Sequence, residues 1–399
     1  MKKRSIPYGK QQITDQDVKA VVEALTSDFL TQGPRIKEFE VEFAKYVESD
    51  FAVAVSNGTA ALHLSALSLD LRPGQKVITS PITFSASANC IQYCGAEVVF
   101  VDIDPETYLL DLDKVTELLK KSSENEFVGI IPVDLAGRAV DLQRLREIAD
   151  EYSLWIIEDS CHAPGGFFVD NQSKKQFCGN GSFADMSIFS FHPVKHIAAG
   201  EGGMITTNDE KLYNRLLDLR THGITKNPNR FVNEQSLAVG KQHTSPDWPE
   251  WYMEMQELGY NYRLTDFQAA LGQSQLKRAD EGVAKRREIA AQYYKSFEGK
   301  SFILGQSGIV YGHAYHLYVI EVNDRLGLYN YLRTKDIYCQ IHYIPVHLMP
   351  YYGKLGWKKG DLPHAENYYK SCLSLPMFPS LTEEEQAFVI DTICKYYNE

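Results

Sequence analysis

The chain has 399 residues, of which 44% are hydrophobic and 12% aromatic, so it can bury a large core and is long enough for two domains. Its formal net charge is -11, and the charged residues are dispersed instead of running in blocks. Such a chain offers no general basic field to a polyanion, so the composition disfavours nucleic acid as a partner.

The cysteines and the start of the chain bear on its cellular compartment. The seven cysteines are scattered and include no CxxC pair, which is typical of reduced thiols in the cytoplasm. No metal-binding knuckle is visible, and we expect no metal. The basic start Met1–Pro7 is not followed by the apolar core of a signal peptide, and no later apolar run approaches ~18 residues. We therefore expect a soluble, cytoplasmic protein without a membrane partner.

Two amphipathic helices are predicted first, over residues 14–27 and 34–47. Strands then alternate with helices as far as residue 207. The strands are expected at 51–55, 76–79, 97–101, 127–133, 154–157, 185–191 and 203–207, and the helices at 59–69, 85–94, 111–121 and 141–152. Several strands are continuously apolar, as strands covered on both faces are. This rhythm predicts an α/β domain whose large, mostly parallel sheet carries helices on both faces.

The pattern changes after about residue 225. Residues 225–258 are polar and irregular, and a segment of that length is usually functional or disordered. A long helix is expected over about 265–297, then strands near 314–322 and 338–343 and a final helix at 382–397. We predict a large domain of residues 1–265, with about the first 30 residues a candidate to pack on the other domain, and a smaller C-terminal α+β domain of residues 266–399 that includes the long helix.

A lone lysine stands in a loop of small residues. The run Ser190–Lys195 follows one predicted strand, and Gly202 and Gly203 precede the next. A lysine side chain can form a Schiff base with a carbonyl cofactor and then move a proton as a free amine. A solvated lysine at a strand end is the commoner meaning of an isolated lysine, but these neighbours favour a catalytic Lys195.

Pyridoxal phosphate presents an aldehyde, a ring nitrogen, a flat ring and a phosphate, and each needs a different residue. Asp159 ends an apolar strand and is the candidate for the ring nitrogen, because a nearby carboxylate favours a protonated pyridine by about one to three pKa units. Capping of the next turn by Glu158 or Asp159 is an equal alternative. His162 is a candidate for the ring or the oxygen beside the aldehyde; otherwise it is a buried, satisfied histidine.

The phosphate candidate is the turn that begins at Asn57, after a strand and before a helix. Thr59 and the backbone N–H groups of Thr59 and Ala60 lie at the positive end of that helix, and Ser190 is a further donor. A plain helix cap at Thr59 is the alternative. Phe84 is the candidate to stack on the ring, and a core aromatic is its alternative.

Six motifs in order resemble the DegT/DnrJ/StrS family of nucleotide-sugar aminotransferases, which are fold-type I pyridoxal-phosphate enzymes. The motifs are Gly58–Ala61, Thr83–Ala86, Glu158–Ala163, Ser190–Gly203, Arg220–Gly223 and Gly259–Asp266. The resemblance covers almost the whole chain. It implies the aspartate-aminotransferase-like fold of type I and pyridoxal 5'-phosphate as the cofactor.

The resemblance also implies a homodimer with shared active sites. In that family the loop matching Gly259–Arg263 reaches the cofactor phosphate of a neighbouring subunit, which nominates Asn261 as a donor in trans. Tyr8, Arg263 and His342 are the substrate-side candidates. For Arg263 the alternative is a solvated-surface or interface pairing with Asp266. His347 is, like His342, a candidate to line the sugar pocket, and a packing role is the alternative for both.

Within the family, four segments are similar to the subgroup of UDP-4-amino-4,6-dideoxy-N-acetyl-β-L-altrosamine transaminases of the pseudaminic acid pathway. These segments are Leu30–Gly33, Val133–Gly137, Phe189–Lys195 and Gln340–Pro345. This likeness implies transfer of an amino group from L-glutamate to the C4 ketone of a UDP-4-keto-6-deoxy-N-acetylhexosamine.

Four other functions remain open at this point. They are amination of a GDP- or dTDP-linked 4-keto sugar, a pyridoxal-phosphate sugar dehydratase, a non-catalytic nucleotide-sugar-binding protein, and a metal hydrolase built on His192, His196, His342 and His347. Dehydratases of this type carry histidine where Lys195 stands, which argues against the second.

Overall fold

The computed structural model describes residues 5–239 and 247–399. Its strands are β1 (Ile6–Pro7), β2 (Phe51–Val55), β3 (Lys76–Thr79), β4 (Glu97–Phe100), β5 (Phe127–Ile131), β6 (Trp155–Asp159), β7 (Phe167–Val169), β8 (Lys175–Phe177), β9 (Met186–Ser190), β10 (Gly203–Thr207), β11 (Ile224–Thr225), β12 (Glu254–Met255), β13 (Ile303–Gln306), β14 (Tyr318–Val322), β15 (Ile337–Tyr338) and β16 (Cys372–Leu375). Its helices are α1 (Asp15–Leu25), α2 (Pro34–Val47), α3 (Gly58–Ser68), α4 (Ala86–Tyr93), α5 (Leu112–Lys121), α6 (Leu142–Glu151), α7 (Glu210–Arg220), α8 (Ser236–Val239), α9 (Asp266–Leu276), α10 (Ala279–Phe297), α11 (Arg325–Thr334), α12 (Pro350–Gly353), α13 (Pro363–Ser371) and α14 (Glu383–Tyr396).

Seven strands form the main sheet, in the order β2-β10-β9-β6-β5-β3-β4. Neighbours from β9 to β4 are parallel, whereas β10 is antiparallel to both β2 and β9. Along β9, Ile188 packs into the core on one face, and Phe189 packs into a second core on the other, with Phe39 and Phe43 of α2. The sheet is therefore mostly parallel and buried on both faces, as the apolar strand sequences predict.

A second, antiparallel sheet has the order β13-β14-β16. It shares a separate core with helices α10, α11 and α14, in which Tyr293, Tyr318 and Leu328 are fully buried. The short strand β1 pairs in parallel with β15, and its Ile6 belongs to this same core. These contacts agree with a smaller α+β unit, to which residues near the start of the chain also belong. The division of the domains at residue 265 stays a prediction.

The single long helix predicted over 265–297 is wrong, because the structure contains two helices there, α9 and α10. Arg278 lies between them, and its guanidinium is held 2.7 Å from the Asp17 carboxylate of α1. Asp280 and Glu281 then occupy the first turn of α10, where acidic side chains favour a helix start. The sequence therefore contains a signal for the start of a second helix inside the stretch 265–297 that has helical periodicity.

The two predicted C-terminal strands are shorter than expected. Residues 314–317 do not join β14, because the Ala314 and Leu317 N–H groups donate to the carbonyls of Gly137 and Ala136 instead of to a neighbouring strand. The second predicted strand, 338–343, ends with β15 at Tyr338, and beyond it Gln340 forms an isolated bridge with Ser374. Both irregular stretches bring side chains towards the edge of the main sheet.

Several elements have no counterpart in the sequence prediction, notably α7, the pair β7–β8 and the helices α11 to α13. In the 225–258 segment the structure contains β12, α8 and a 3-10 turn over Pro228–Arg230, and residues 240–246 lie outside the described part. All seven cysteines lie inside it, and none forms a disulfide. No helix of the described residues is long and apolar enough to span a bilayer.

Candidate functional site

A cavity of about 760 Å³ opens where β2, β3, β6 and β9 end. Ligands of open α/β sheets bind outside the carboxyl ends of the strands, and β2, β6 and β9 deliver their following residues to that edge. Nine of the predicted site residues line the cavity: Tyr8, Thr59, Ala60, Phe84, Asp159, His162, Ser190, Lys195 and His342.

Lys195 lies in the turn after β9, where its backbone N–H donates to the His192 carbonyl at 2.9 Å. Burial of the ammonium lowers the pKa of Lys195 to about 8, although the nearby Cys161 and Asp159 oppose that shift. A lysine with such a pKa is partly a neutral amine at mildly alkaline pH. The neutral amine is the form that attacks a carbonyl and accepts a proton.

Asp159 is the last residue of β6, and only 6% of its surface is exposed. Its Oδ2 accepts from the Ser87 hydroxyl at 2.6 Å, and its Oδ1 accepts from the Cys161 N–H at 3.2 Å. Asp159 thus caps the following turn and also lines the cavity, so the two interpretations of this residue coexist. Ser87 itself also contacts the Thr83 hydroxyl at 2.7 Å.

Glu158 has different partners because successive residues of a strand alternate between its faces. Its Oε2 accepts from the Ser187 hydroxyl and the Gly179 N–H, whereas its buried Oε1 lacks a donor among the described residues. Burial and the Glu158 charge raise the pKa of Asp134 well above its usual range. We infer that a proton shared by the two carboxyl groups gives Oε1 its donor.

The ligand atoms of Asp134, Glu158 and Cys178 lie within 4.8 Å of one another. Ser160 and the Val140 N–H already donate to Asp134, and burial raises the pKa of the Cys178 thiol well above its usual range. A buried protonated thiol beside a carboxyl pair favours the shared proton over an ion.

Helix α3 begins one residue earlier than predicted, at Gly58. Asn57 is its N-cap, with Oδ1 accepting from the Ala60 N–H at 2.8 Å, so the alternative that Thr59 caps this helix is wrong. The Ala60 N–H predicted for an anion is already bonded to that side chain. The first-turn N–H groups of Gly58 and Thr59 have no acceptor within the helix. With the Thr59 and Ser190 hydroxyls they form the donor group at this end of the cavity.

Close backbone contacts hold this donor group together. A Cβ atom at Gly58 would lie 3.0 Å from Cβ of Ser190, and one at Gly203 would lie 2.5 Å from the Asn57 carbonyl oxygen. Only glycine fits at Gly203 without moving the backbone. The start of α3 is therefore packed directly against the strands that flank the lysine loop.

Phe84 is 62% exposed, so the core-aromatic alternative is wrong; its ring centroid lies 6.4 Å from that of Tyr343. His342 is buried, and its Nδ1 lies 2.9 Å from the Ser374 hydroxyl. Burial, and then the Lys195 charge, lower the pKa of His342 to about 3. The Tyr8 ring lies 5.3 Å from the His342 ring.

Asn261 and Arg263 do not line the cavity of their own chain. Asn261 is exposed and bridges to Thr221 through the backbone. The proposed pairing of Arg263 with Asp266 is wrong, because the Asp266 carboxylate accepts from the N–H groups of Gly33 and Arg35 at the start of α2.

The four histidines of the metal-hydrolase alternative do not converge. His192 and His342 line the cavity, His196 contacts the Ala314 carbonyl at 2.9 Å, and His347 lies 3.2 Å from Glu366. His347 is therefore a buried packing residue and not part of a sugar pocket.

Sequence reasoning missed Tyr343 as a site residue. His162 accepts the Ala136 N–H on Nδ1 at 3.2 Å, and its Nε2 lies 3.1 Å from the Tyr343 hydroxyl. Burial lowers the pKa of His162 well below its usual value, so the ring is neutral. Because Nδ1 is an acceptor, the hydrogen is on Nε2 and is donated to Tyr343. The Tyr343 hydroxyl hydrogen is then left for another partner.

His316 was also missed. Its Nε2 lies 3.5 Å from the Lys195 Nζ, in the irregular segment that precedes β14. A histidine before an apolar strand carries no local signal of such a position. Ser87 gave no signal either, because a serine in a helix is ordinary.

Comparison with known proteins agrees with this geometry. The family model described as the DegT/DnrJ/EryC1/StrS aminotransferase family matches residues 11–394. The chain is 33% identical to a UDP-4-amino-4,6-dideoxy-N-acetyl-beta-L-altrosamine transaminase of Campylobacter jejuni, over 97% of this chain and 96% of the relative. It is 34% identical to a GDP-perosamine synthase of Escherichia coli O157:H7, over 99% of each chain.

A solved structure shares the fold. The PLP form of a putative sugar aminotransferase, Spr1654 from Streptococcus pneumoniae, superposes with a TM-score of 0.86 at 27% identity, over 99% of each chain. This likeness and the mixed, mostly parallel sheet confirm the predicted aspartate-aminotransferase-like fold. The match over nearly the whole chain shows that it belongs to the DegT/DnrJ/EryC1/StrS aminotransferase family and is a sugar aminotransferase of that family.

Proposed function

We propose that this chain is a pyridoxal-phosphate-dependent aminotransferase of a nucleotide-linked 4-keto sugar. The observation that carries the proposal is the meeting, in one cavity, of the Lys195 amine, the Asp159 carboxylate and the donors at the start of α3. Family membership supports the reaction class, and the PLP form of the pneumococcal relative supports the cofactor.

The residues of the cavity fit pyridoxal 5'-phosphate. Thr59, Ser190 and the first turn of α3 would hold the phosphate, Asp159 the ring nitrogen, and Phe84 and His162 the ring. When bound, the cofactor supplies a carbonyl carbon that carries the amino group and a protonated ring that accepts electrons. The close packing at Gly58 and Gly203 fixes the phosphate donors relative to the lysine loop.

Lys195 moves the proton in both halves of the reaction. Its Nζ would take a proton from the carbon on one side of the transferred nitrogen and return it to the carbon on the other side, which requires the neutral amine. The lowered pKa of about 8 supplies that form at mildly alkaline pH. Hydrogen bonds from the Ser87 hydroxyl and the Cys161 N–H hold the Asp159 carboxylate in one orientation in both halves of the reaction.

For the substrate we propose a UDP-4-keto-6-deoxy-N-acetylhexosamine, with L-glutamate as amino donor. The name of the Campylobacter relative supports a UDP sugar, and the motifs shared with its subgroup support it further. The GDP-perosamine synthase is as similar, so a GDP-linked sugar is the second candidate.

We also propose a homodimer in which Asn261 completes the neighbour's site. Asn261 is exposed and outside its own cavity, as a residue acting in trans must be. Helix α1 carries an exposed apolar row of Val18, Val22 and Leu25, each about half exposed. Such a row is suited to cover by a second copy.

The test combines spectra with a substrate panel. Purified protein supplied with pyridoxal phosphate should gain a visible absorption band that L-glutamate bleaches, and Lys195→Ala should abolish turnover while keeping the far-UV circular dichroism spectrum. Mass spectrometry of products from UDP-, GDP- and dTDP-4-keto sugars should find amination of the UDP substrate. Amination of only a GDP or dTDP sugar would overturn the substrate, and a protein that takes up no cofactor would overturn the whole proposal.

A further inference from the structure

His316 lies against the lysine from the side of the second sheet. It is only 4% exposed, and its Nε2 is 3.5 Å from the Lys195 Nζ. Its ring centroid is 4.4 Å from that of His162 and 5.7 Å from that of His196. The imidazole therefore lies between two tilted histidine rings, of which His162 is buried and His196 half-buried, with one edge at the reactive amine.

The backbone fixes this position. The His316 carbonyl accepts from the buried Arg286 guanidinium at 3.2 Å, and the next residue, Leu317, donates its N–H to the Ala136 carbonyl at 3.2 Å. A Cβ at Gly137 would lie 3.1 Å from the His316 nitrogen, so the chain passes here without spare room. The backbone at His316 therefore has little room to move away from the lysine loop.

The hydrogen-bond chemistry assigns the direction of the contact. Burial, and then the Lys195 charge, lower the pKa of His316 well below its usual value. The groups that face the ring are Lys195, His162, His196 and Arg286, and none of them is acidic. A lysine ammonium can only donate, so the neutral ring presents the Nε2 lone pair and carries its hydrogen on Nδ1, which is buried and has no acceptor among the described residues.

Resting on the proposed function, we propose that His316 is a positioning residue for Lys195: its Nε2 accepts a hydrogen bond from the Lys195 Nζ and aims the lone pair of the free amine. No proton is transferred to His316. As a free amine, Nζ would direct one of its two hydrogens to Nε2, so its lone pair would point in one direction while it carries protons between carbons. Without this acceptor the Lys195 amine would lose its fixed orientation as well as some of its basicity.

The first experiment needs no cofactor. Reductive methylation of the apo protein with formaldehyde and cyanoborohydride, quantified at Lys195 by peptide mass spectrometry across pH, reports the midpoint at which the amine becomes neutral. His316→Leu should move that midpoint to lower pH, because the ammonium loses its acceptor in a buried place. His316→Gln keeps an acceptor oxygen and should stay near wild type. His316→Phe replaces the leucine variant if that variant does not fold.

His313→Leu is the matched control. His313 is a buried histidine of the same segment, and its Nδ1 accepts from the Tyr315 N–H at 2.9 Å. A general disturbance of the segment would move the Lys195 midpoint in this variant too. Equal midpoints for wild type and His316→Leu, or equal shifts for His316→Leu and His313→Leu, would overturn the proposal.

The second experiment uses the holoenzyme and the glutamate half-reaction. His316→Leu should lower kcat by about 2- to 10-fold, the range expected for one neutral hydrogen bond, with KM for L-glutamate nearly unchanged. His316→Gln should recover most of that loss. A change confined to KM contradicts the role. If wild type performs no transamination, the proposed function fails, whereas the apo titration still decides whether His316 binds the lysine.

Discussion

At the residue scale, strand geometry assigns separate roles to two adjacent acids. Asp159 faces the cavity, and Glu158 faces a buried carboxyl partner, because successive strand residues point to opposite sides. The sequence predicts the cluster of Lys195, Asp159 and the α3 turn, since parallel strands deliver their carboxyl ends to one edge. It cannot rank Glu158 against Asp159, which depends on the register of β6 with its neighbours.

Asp159→Asn should lower the rate of amine transfer by about 10- to 1,000-fold, because a carboxylate favours a protonated ring by one to three pKa units. Ser87→Ala removes only the hydroxyl that orients the carboxylate, and should cost less than about tenfold. Steady-state kinetics with both variants saturated in cofactor provide the comparison. Similar losses in the two variants would mean that orientation, and not charge, is what Asp159 supplies.

The shared proton of Asp134 and Glu158 predicts a pH-dependent stability. A carboxyl whose pKa is raised by folding binds its proton more tightly in the folded state, so its contribution falls as pH rises above the unfolded pKa of ~3.9. Asp134→Asn keeps a donor for Glu158 and removes the titration. Urea unfolding should therefore show the variant gaining stability relative to wild type from pH 5 to pH 8. A constant difference would contradict the shared proton.

Three site features escaped prediction at this scale for physical reasons. Asn57 caps α3 in place of Thr59 because the helix begins one residue earlier than its apolar pattern does. His316 reaches the lysine from 121 positions further along the chain, through an irregular segment without periodicity. The Tyr343 hydroxyl accepts a hydrogen bond from His162, and it does so only because the Ala136 N–H fixes the tautomer of that histidine.

At the element scale, α1 is fastened to α9 and α10 by one buried carboxylate. Burial opposes ionisation, but hydrogen bonds from Arg278 and Ser274 lower the pKa of Asp17 to about 2. Its stabilisation is therefore complete above the unfolded pKa of ~3.9 and is lost as pH falls through about 2.

Asp17→Asn should lower the free energy of unfolding at pH 7 by about 2–3 kcal/mol, the equivalent of that pKa difference. Asp15→Asn is the matched control, because Asp15 lies in the same first turn but is exposed. Denaturant unfolding at pH 7 and near pH 3 is the measurement. An Asp17 effect that does not shrink at the lower pH would contradict the ionic origin.

The strands of the main sheet were predictable to within two residues, because strands buried on both faces are continuously apolar. The hairpin β7–β8 was not, since its strands are three residues each and include exposed Val169 and Lys175. Helix α7 carried a signal that went unused: Asp209 is its N-cap and accepts from the Lys211 and Leu212 N–H groups. Short or amphipathic surface elements depend on such caps more than on periodicity.

At the scale of the whole molecule, the proposed homodimer predicts subunit complementation. Lys195→Ala and Asn261→Ala homodimers should each be nearly inactive, for different reasons. A refolded equal mixture should recover about a quarter of wild-type activity, because half of the dimers are mixed and each holds one intact site of two. No recovery in a mixture shown to contain mixed dimers would place Asn261 outside the neighbour's site.

The fold class was predictable from the alternation of elements, and the family from motifs spread over the chain. The dimer was implied by resemblance alone, because nothing in one chain's periodicity reports a residue that acts in another chain. Periodicity does not predict the nucleotide or the sugar of the substrate either. Relatives named for UDP and for GDP sugars are about equally similar to this chain.

The start of the chain contacts both the unit of the second sheet and the helices that pack on the main sheet. Strand β1 is bonded to β15, and the Tyr8 carbonyl accepts from the Met377 N–H on the same side. Seven residues later α1 begins, and its Asp17 is gripped by Arg278. A large movement of the two sheets apart would have to extend the short segment between Tyr8 and α1 or break the pairing of β1 with β15. We therefore expect substrates to enter a preformed cleft, with Tyr8 a fixed part of its rim and not a closing lid.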